Sequence, residues 1–300
     1  MKIKNSFVLK LIDAPNPIDP IFEYILQILS TERGSYYQNS NKIKNFYDKE
    51  VQIKALEVFL LKSFPEIYDK YLVENCLKVK RFNENLPLIF MDGLSLREAI
   101  LFSHDLKANF SVNLGFSYSS LPSDTINFKS MLNINLSKKK VGVINDFDLT
   151  PIKGNEEIFL SRFPDSYFES IQEGRTRIQT IPEVYNKTFK ILEELLEKIE
   201  FDDITIISDH GYVILEPEFI IPVEPRMQKL IARIMGGGRS KKASEVNADK
   251  FVKEGYLIKA NDNYIAKSRY TWPISGKFKV FQHGGISLLE CITPVLTIKK

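Results

Sequence analysis

The hydrophobic positions of this chain form short apolar runs that alternate with longer helical repeats. Six segments have the length and pattern of β-strands: 86–91, 111–118, 141–146, 158–163, 204–207 and 292–298. Between Val184 and Ile199 the apolar residues recur every three or four positions, which predicts a long helix before the fifth strand. Strands separated by helical crossings predict a doubly wound α/β fold, with a mostly parallel sheet flanked by helices.

The first 80 residues have a different pattern. Apolar residues recur at helical spacing after Pro20 and again from Val51 to Leu60, so we predict a helical N-terminal region, 1–80, joined to an α/β domain, 81–300. No chemistry is visible in the N-terminal stretch. Its role is structural packing or, as the alternative, contact with a protein partner.

The periodic pattern breaks down after Gly211, where prolines interrupt a partly apolar run. The segment Met235-Gly-Gly-Gly-Arg-Ser-Lys-Lys242 follows. A mobile, solvated loop is the commoner explanation for such a segment. The alternative is a loop that cradles a phosphate, in which Arg239, Lys241 or Lys242 neutralises the charge of a substrate.

Acidic residues directly follow two of the predicted strands. Asp92 precedes Gly93, and Asp209-His210 precedes Gly211. The carboxyl ends of parallel strands meet at one edge of a sheet, so Asp92 and Asp209 could face one ion. Carboxylate oxygen and imidazole nitrogen are suitable ligands for zinc, manganese or iron. The alternative is that these acids only cap helices or form turns.

Further candidate residues lie at other junctions. Thr125 ends the loop sequence Leu-Pro-Ser-Asp-Thr, where a hydroxyl ordinarily caps a helix but can also serve as a nucleophile beside a metal. Asp165 follows the strand at 158–163, and His283 precedes two glycines near the end of the chain.

Composition and charge limit the classes of function that this chain can have. The net charge is +3, from 41 basic and 38 acidic residues, so the chain as a whole has no strong field for nucleic acid or anionic membranes. Cys76 and Cys291 match no metal-ligand spacing and indicate buried thiols in a reducing compartment. The sequence has no signal-length or membrane-length apolar run, so we expect a soluble, cytoplasmic protein without a membrane partner.

Four segments together resemble the PglZ domain, a branch of the alkaline phosphatase superfamily, over roughly residues 85 to 300. They are Asp92-Gly-Leu, Leu-Pro-Ser-Asp-Thr125, Ser208-Asp-His-Gly211, and His283-Gly-Gly-Ile-Ser-Leu-Leu-Glu-Cys-Ile-Thr-Pro-Val295. The resemblance implies an alkaline phosphatase-like fold and a phosphohydrolase with two divalent metal ions, usually zinc, with manganese as an alternative. It also implies a role in phage defence or signalling.

The resemblance assigns a role to each matching position. One ion would be held by Asp92, Thr125, Asp209 and His210, with Thr125 as the nucleophile. The other ion would be held by Asp165, His283 and the residue four positions after Asp165. Many relatives have a histidine at that position, whereas this chain has Glu169, and Asp146 or Asp148 could substitute as ligands. Ser95 is a rival hydroxyl that we interpret as a helix cap.

We therefore predict a metal-dependent phosphodiesterase or phosphatase that acts on a phosphate ester such as a nucleotide or oligonucleotide. The alternative is a catalytically degenerate module that binds a partner through the helices of residues 1–80. Glu169 is the residue that separates the two, because an enzyme with two ions needs a ligand there.

Overall fold

The computed structural model describes residues 3–30, 41–83, 87–145, 149–174, 181–272 and 279–300. Within them, a six-stranded sheet forms the centre, in the order β2-β11-β5-β1-β4-β3. Its strands are β1 (Leu88–Met91), β2 (Ser111–Tyr118), β3 (Val141–Ile144), β4 (Ile158–Ser161), β5 (Asp203–Ser208) and β11 (Ile292–Lys299). Strands β5, β1, β4 and β3 pair in parallel, and β11 is antiparallel to both β2 and β5. The prediction of an α/β fold with a mostly parallel sheet is confirmed.

Helices cover both faces of this sheet because side chains alternate along each buried strand. On one face, Ile89 and Ile206 pack with α5 (Leu96–Leu106) and α8 (Ile181–Lys198). On the other, Phe90 and Ile207 pack with Phe128 of α6 (Thr125–Ser130). The strands therefore lie between two apolar layers, and their carboxyl ends are left at one edge of the sheet.

The N-terminal part of the chain is helical and shares a hydrophobic core with later segments. Its helices are α1 (Asn5–Asp13), α2 (Ile18–Leu29), α3 (Asn41–Ser63), a π-helical turn (Ile67–Leu72) and α4 (Val73–Cys76). Buried Ile25 and Leu56 belong to the same cluster as Leu96 and Leu289. The division of the chain at residue 80 remains a prediction.

The remaining elements follow or precede the strand ends. They are α6 (Thr125–Ser130), a 3-10 turn (Leu136–Lys138), α7 (Asp165–Gly174), β6 (Val213–Ile214), α9 (Pro225–Met235), β7 (Ser240–Lys242), α10 (Asp249–Lys253), β8 (Leu257–Ala260), β9 (Asn263–Ala266), β10 (Phe281–Gln282) and α11 (Leu288–Cys291). Strands β7, β9 and β8 form a small antiparallel sheet, and β6 pairs with β10. No helix of the described part has both the length and the apolar composition needed to cross a membrane.

The segment 235–242 differs from its prediction as a solvated loop. Helix α9 ends at Met235, Gly236 adopts a positive φ of 64°, and Ser240–Lys242 pairs with β9. Arg239 between them is buried. Pairing with a strand more than 20 residues later in the chain orders this glycine-rich segment, and local composition does not reveal such a partner.

Candidate metal centre

Asp92 and Asp209 lie next to each other because β1 and β5 are parallel neighbours. The register pairs Met91 with Ser208, so the next residue of each strand is an acid at the same edge. The backbone N–H of Gly93 donates to Asp209 Oδ1 at 3.1 Å. Gly93 has a φ of 74°, and a Cβ there would lie 2.9 Å from the Asp165 Cβ. Glycine therefore permits both the turn and the close approach of Asp165.

Asp92, Asp209 and His210 form a cluster in which one ligand atom of each lies within 4.8 Å of the others. His210 Nε2 is 3.6 Å from Asp92 Oδ1 and 3.7 Å from Asp209 Oδ2. His210 Nδ1 makes its own hydrogen bond with the Gly211 carbonyl at 3.0 Å, which fixes the ring so that Nε2 faces the two acids.

Two atoms of this cluster are buried and have no hydrogen-bond partner among the described residues: Asp209 Oδ2 and His210 Nε2. Buried polar atoms are rarely left unsatisfied, because desolvation without a partner is unfavourable. Carboxylate oxygen and imidazole nitrogen are suitable donors for a divalent transition metal. The donor set and the unsatisfied atoms therefore fit a metal ion.

The electrostatics of the cluster also favour the binding of a cation. Burial, together with Asp209 and Asp165, raises the pKa of Asp92 from 3.8 to about 8. Burial disfavours the charged ring of His210, but the carboxylates of Asp209, Asp165 and Asp92 raise its pKa. A cation at this position would let the carboxylates ionise and the imidazole stay neutral, as metal ligands must.

Thr125 is the first residue of α6, next to the cluster. Its hydroxyl Oγ1 donates to Asp92 Oδ1 at 3.2 Å. The preceding residues hold this segment in place. Asp124 caps α6 by accepting from the Asn127 N–H, and the buried Ser123 hydroxyl donates to the Gly285 carbonyl and accepts from the Gly284 N–H. Hydrogen bonds through Ser123 thus connect the segment that carries Thr125 to the glycines after His283.

His283 and Asp165 lie beside this cluster. The His283 ring stacks on His210 with centroids 4.0 Å apart, and its Nδ1 lies 3.1 Å from the Ser123 carbonyl. The Asp165 N–H donates to the Asp92 carbonyl at 3.0 Å. Burial and the neighbouring His210 lower the pKa of His283, so this imidazole is neutral at pH 7.

Two cavities adjoin the cluster. One, of about 250 Å³, is lined by Asp92, Asp124, Thr125, Ile126, Arg162, Asp165, Ser166, Glu169 and His283. The other, of about 290 Å³, shares Asp124, Asp165, Glu169 and His283 with the first and extends to Tyr212, Arg239, Gln282 and the exposed Lys279. Together they leave open space beside the cluster, and Thr125 faces the smaller one.

Glu169 lines both cavities but lies outside the three-residue cluster. Its side chain is 63% exposed and pairs with Arg162 at 3.8 Å. Asp146 and Asp148, the other candidate ligands, lie outside the described residues. Ser95 is the N-cap of α5, as predicted.

The role of Arg239 or Lys241 in substrate binding stays a prediction, and both side chains make contacts within the protein. The Arg239 Nε and Nη2 atoms donate to Glu290 at 2.8 Å, and its guanidinium also donates to the carbonyls of Ser268 and Tyr270. Lys241 donates to the Ile234 carbonyl at 3.1 Å and is absent from the described lining of both cavities. Both cations therefore make structural contacts, and Arg239 also lines the larger cavity.

Two residues near the cluster were not predicted as site residues from the sequence. Asp124 lines both cavities, and Lys279 supplies a cation at the larger one. Asp124 had a signal, since it directly precedes Thr125 and could have been tested as a ligand as well as a cap. Lys279 had none, because no local pattern sets it apart from the other lysines.

Comparisons with known proteins give weak similarity only. No family model matches the chain, and no curated protein matches it. Among solved structures, murine ectonucleotide pyrophosphatase/phosphodiesterase 5 is similar at 12% identity and a TM-score of 0.28, covering 47% of this chain and 46% of that one. The human protein gives 13% identity and a TM-score of 0.27, covering 48% and 47%. The chain thus spans about half the length of these structures, and its membership of the PglZ family remains a prediction.

Proposed function

We propose that this protein is a metal-dependent phosphohydrolase, a phosphodiesterase or phosphatase, with Thr125 as its nucleophile. One observation carries the proposal. The cluster of Asp92, Asp209 and His210 has buried ligand atoms without a hydrogen-bond partner, and the Thr125 hydroxyl donates a hydrogen bond to Asp92 of this cluster. A metal-binding cluster next to a hydroxyl and an open cavity is the arrangement that phosphoryl transfer to a side chain requires.

A divalent ion, zinc or manganese, would supply the positive charge that stabilises a phosphoryl oxygen and favours ionisation of a nearby hydroxyl. Asp92 Oδ1 already accepts the Thr125 hydroxyl hydrogen bond, so it takes that proton as Thr125 Oγ1 attacks phosphorus. The bond from phosphorus to the leaving oxygen breaks, that oxygen takes a proton from water, and Asp92 returns its proton to the hydroxide so formed. A second water then attacks the phosphothreonine, the bond from phosphorus to Thr125 Oγ1 breaks, and a proton of that water restores the Thr125 hydroxyl.

A second divalent ion belongs to the proposal, held by Asp165 and His283 with Glu169 as the weakest ligand. The neutral imidazole of His283 and the half-buried carboxylate of Asp165 support this assignment. The exposure of Glu169 and its ion pair with Arg162 favour weaker binding of this second equivalent. From the resemblance to PglZ domains we also propose nucleotide or oligonucleotide substrates and a role in phage defence or signalling.

The second candidate function is a non-catalytic module that keeps one ion and binds a partner. The observation in its favour is the position of Glu169, which replaces a histidine of the PglZ pattern and lies outside the cluster. In that case the Asp92, Asp209 and His210 site would be structural.

The test combines Zn²⁺ titration with hydrolysis of bis-p-nitrophenyl phosphate and p-nitrophenyl phosphate. The wild-type protein should bind zinc and turn over one of the esters. Thr125→Ala should bind zinc normally and lose turnover roughly a thousandfold or more, whereas Thr125→Ser, which keeps a hydroxyl, should retain part of it. Full activity in Thr125→Ala would contradict the nucleophile assignment. Zinc binding without turnover in the wild-type protein would favour the module.

A further inference from the structure

A buried ion pair connects helix α3 of the N-terminal region to helix α5, which follows Asp92. Arg97 Nη2 lies 2.6 Å from Glu50 Oε1, and Arg97 Nε donates to Glu50 Oε2 at 2.9 Å. The two side chains are 4% and 1% exposed. This two-point contact fixes the plane of the guanidinium as well as its position.

The same guanidinium reaches both segments that carry the metal cluster. Arg97 Nη1 donates to the Ser95 hydroxyl, three residues after Asp92, and to the Tyr212 carbonyl, two residues after His210, each at 3.1 Å. Its Cζ atom also lies 4.6 Å from the centre of the Tyr212 ring. Arg97 therefore bridges the two strand ends from the side that faces α3.

Glu98 adds a parallel connection between the same two segments. It accepts from the Ser95 N–H at 3.1 Å and from the Tyr212 hydroxyl at 2.5 Å. Gly211 between them has no space for a side chain, because a Cβ there would clash with the Leu289 carbonyl oxygen. Arg97 and Glu98 thus both connect the segments that carry Asp92 and His210.

We infer that Glu50 and Arg97 are positioning residues for the metal cluster, and that helix α3 is a built-in part of the site. The inference rests on the proposed function in that the cluster must bind a metal. Metal affinity requires ligand atoms held at fixed separations, and Arg97 ties the two segments that set this separation. Glu50 holds the Arg97 guanidinium in the orientation in which it contacts both segments.

A neighbouring ion pair provides an internal comparison. Glu57 is also buried on α3, and it pairs with Arg269 at 3.1 Å and accepts from the Ser268 hydroxyl at 2.7 Å. Arg269 also contacts Glu50, at 2.6 Å, and the Phe219 carbonyl. Among the described residues, Glu57 makes no hydrogen bond or ion pair with Ser95, Arg97 or Tyr212. Glu50 and Glu57 therefore share the helix, the residue type and full burial but differ in their connection to the cluster.

The experiment compares Glu50→Gln with Glu57→Gln by titrating each full-length, metal-free variant with Zn²⁺ in a calorimeter. Circular dichroism first fixes a temperature at which every variant is folded. Glu50→Gln should weaken zinc binding about tenfold, at the lower end of what loss of outer support costs a metal site, and Glu57→Gln by less than about twofold. Excess Zn²⁺ should restore ester hydrolysis in Glu50→Gln, since the ligands and Thr125 remain.

Arg97→Lys is the second variant, because a lysine keeps the charge but cannot reach Glu50, Ser95 and Tyr212 together. It should weaken zinc binding at least as much as Glu50→Gln. Equal zinc affinity in Glu50→Gln, Arg97→Lys and the wild type would overturn the inference, as would equal weakening in Glu50→Gln and Glu57→Gln. A wild-type protein that binds no zinc would instead overturn the proposed function.

Discussion

Two buried groups of charges lie within a few residues of each other in this protein, and they are built in opposite ways. The α3 network pairs the acids Glu50 and Glu57 with Arg97 and Arg269 at 2.6 to 3.1 Å. The cluster of Asp92, Asp209 and His210 has two acids, no arginine or lysine partner in the described contacts, and unsatisfied atoms. In the first group each acid has an arginine partner, whereas the second has only His210 beside two acids, and a divalent cation would supply further positive charge.

The pKa of one acid in each group shows the difference. Arg97 and Arg269 outweigh the burial of Glu50 and lower its pKa to about 2, whereas burial and neighbouring acids raise the pKa of Asp92 to about 8. At Glu57, by contrast, burial outweighs the pair with Arg269 and raises the pKa. Burial and charged partners together therefore set the charge state of an acid, and acids without an arginine or lysine partner at the end of parallel strands indicate a binding site.

The largest expected effect is the loss of a partner from the α3 network. Glu50→Ala should lower the free energy of unfolding by about 3 to 5 kcal/mol, because it leaves the buried guanidinium groups of Arg97 and Arg269 without their shared acid. Urea denaturation followed by circular dichroism measures this. A loss below about 1 kcal/mol would show that Glu50 does not stabilise the network in this way.

The same kind of change in the metal cluster should have the opposite consequence. Asp209→Asn keeps an oxygen for the N–H groups of Gly93 and His210 but removes a buried negative charge. The metal-free variant should be at least as stable as the wild type. Zn²⁺ at about 100 times its dissociation constant should stabilise the wild type by about 2.7 kcal/mol and Asp209→Asn by almost nothing.

The matched control is Asp203→Asn, at the other end of β5, where the acid pairs with the partly exposed Lys299 at 3.4 Å. It should keep the full zinc-induced stabilisation. A zinc-induced gain of equal size in Asp209→Asn would show that this acid is not a ligand.

The two groups should also give opposite pH trends in metal-free protein. The pKa of Glu50 is lowered to about 2, so its contribution to stability is present above about pH 4.5 and is lost as the pH falls towards 2. The pKa of Asp92 is raised to about 8, so the folded protein holds a proton that the unfolded chain has released. Its contribution therefore declines as the pH rises from about 4 to 8, by up to about 1.4 kcal/mol per pH unit.

Urea denaturation in the presence of EDTA, at intervals from pH 3 to 9, measures both trends. Asp92→Asn removes the titrating carboxyl and should flatten the decline above pH 4 without changing the acid-side loss. An unchanged decline in that variant would assign it to another group.

The smallest effect is expected from Glu169→Gln. This side chain is 63% exposed and pairs with Arg162 at 3.8 Å, and surface pairs of that kind contribute less than about 1 kcal/mol. Unfolding should change by less than about 0.5 kcal/mol, and the affinity for the first zinc equivalent should be unaltered. Loss of the first equivalent in a calorimetric titration would place Glu169 in the main site.

The sequence was informative where residues close together in the chain decide the structure. The β-branched run Ile204–Ile207 predicted a buried strand, and the acids after β1 and β5 could be expected at one sheet edge because parallel strands align their ends. The site therefore had a local signal in Asp92 and in Asp209-His210.

Contacts between residues far apart in the chain had no local signal. Arg239 looked like a free cation after three glycines, but Glu290, 51 residues later, holds it in a buried pair. Glu50 and Arg97 are 47 residues apart and show no local pattern. A single sequence gives residue types but not such pairings, so the supports of the site could not be predicted.

The most direct test of the account is anomalous diffraction at the zinc absorption edge from crystals of the protein soaked in Zn²⁺. The account predicts a zinc ion about 2.0 to 2.2 Å from oxygen atoms of Asp92 and Asp209 and from His210 Nε2. The contradicting result is clear electron density for these three side chains with no anomalous peak between them, in a crystal in which zinc has bound at other positions.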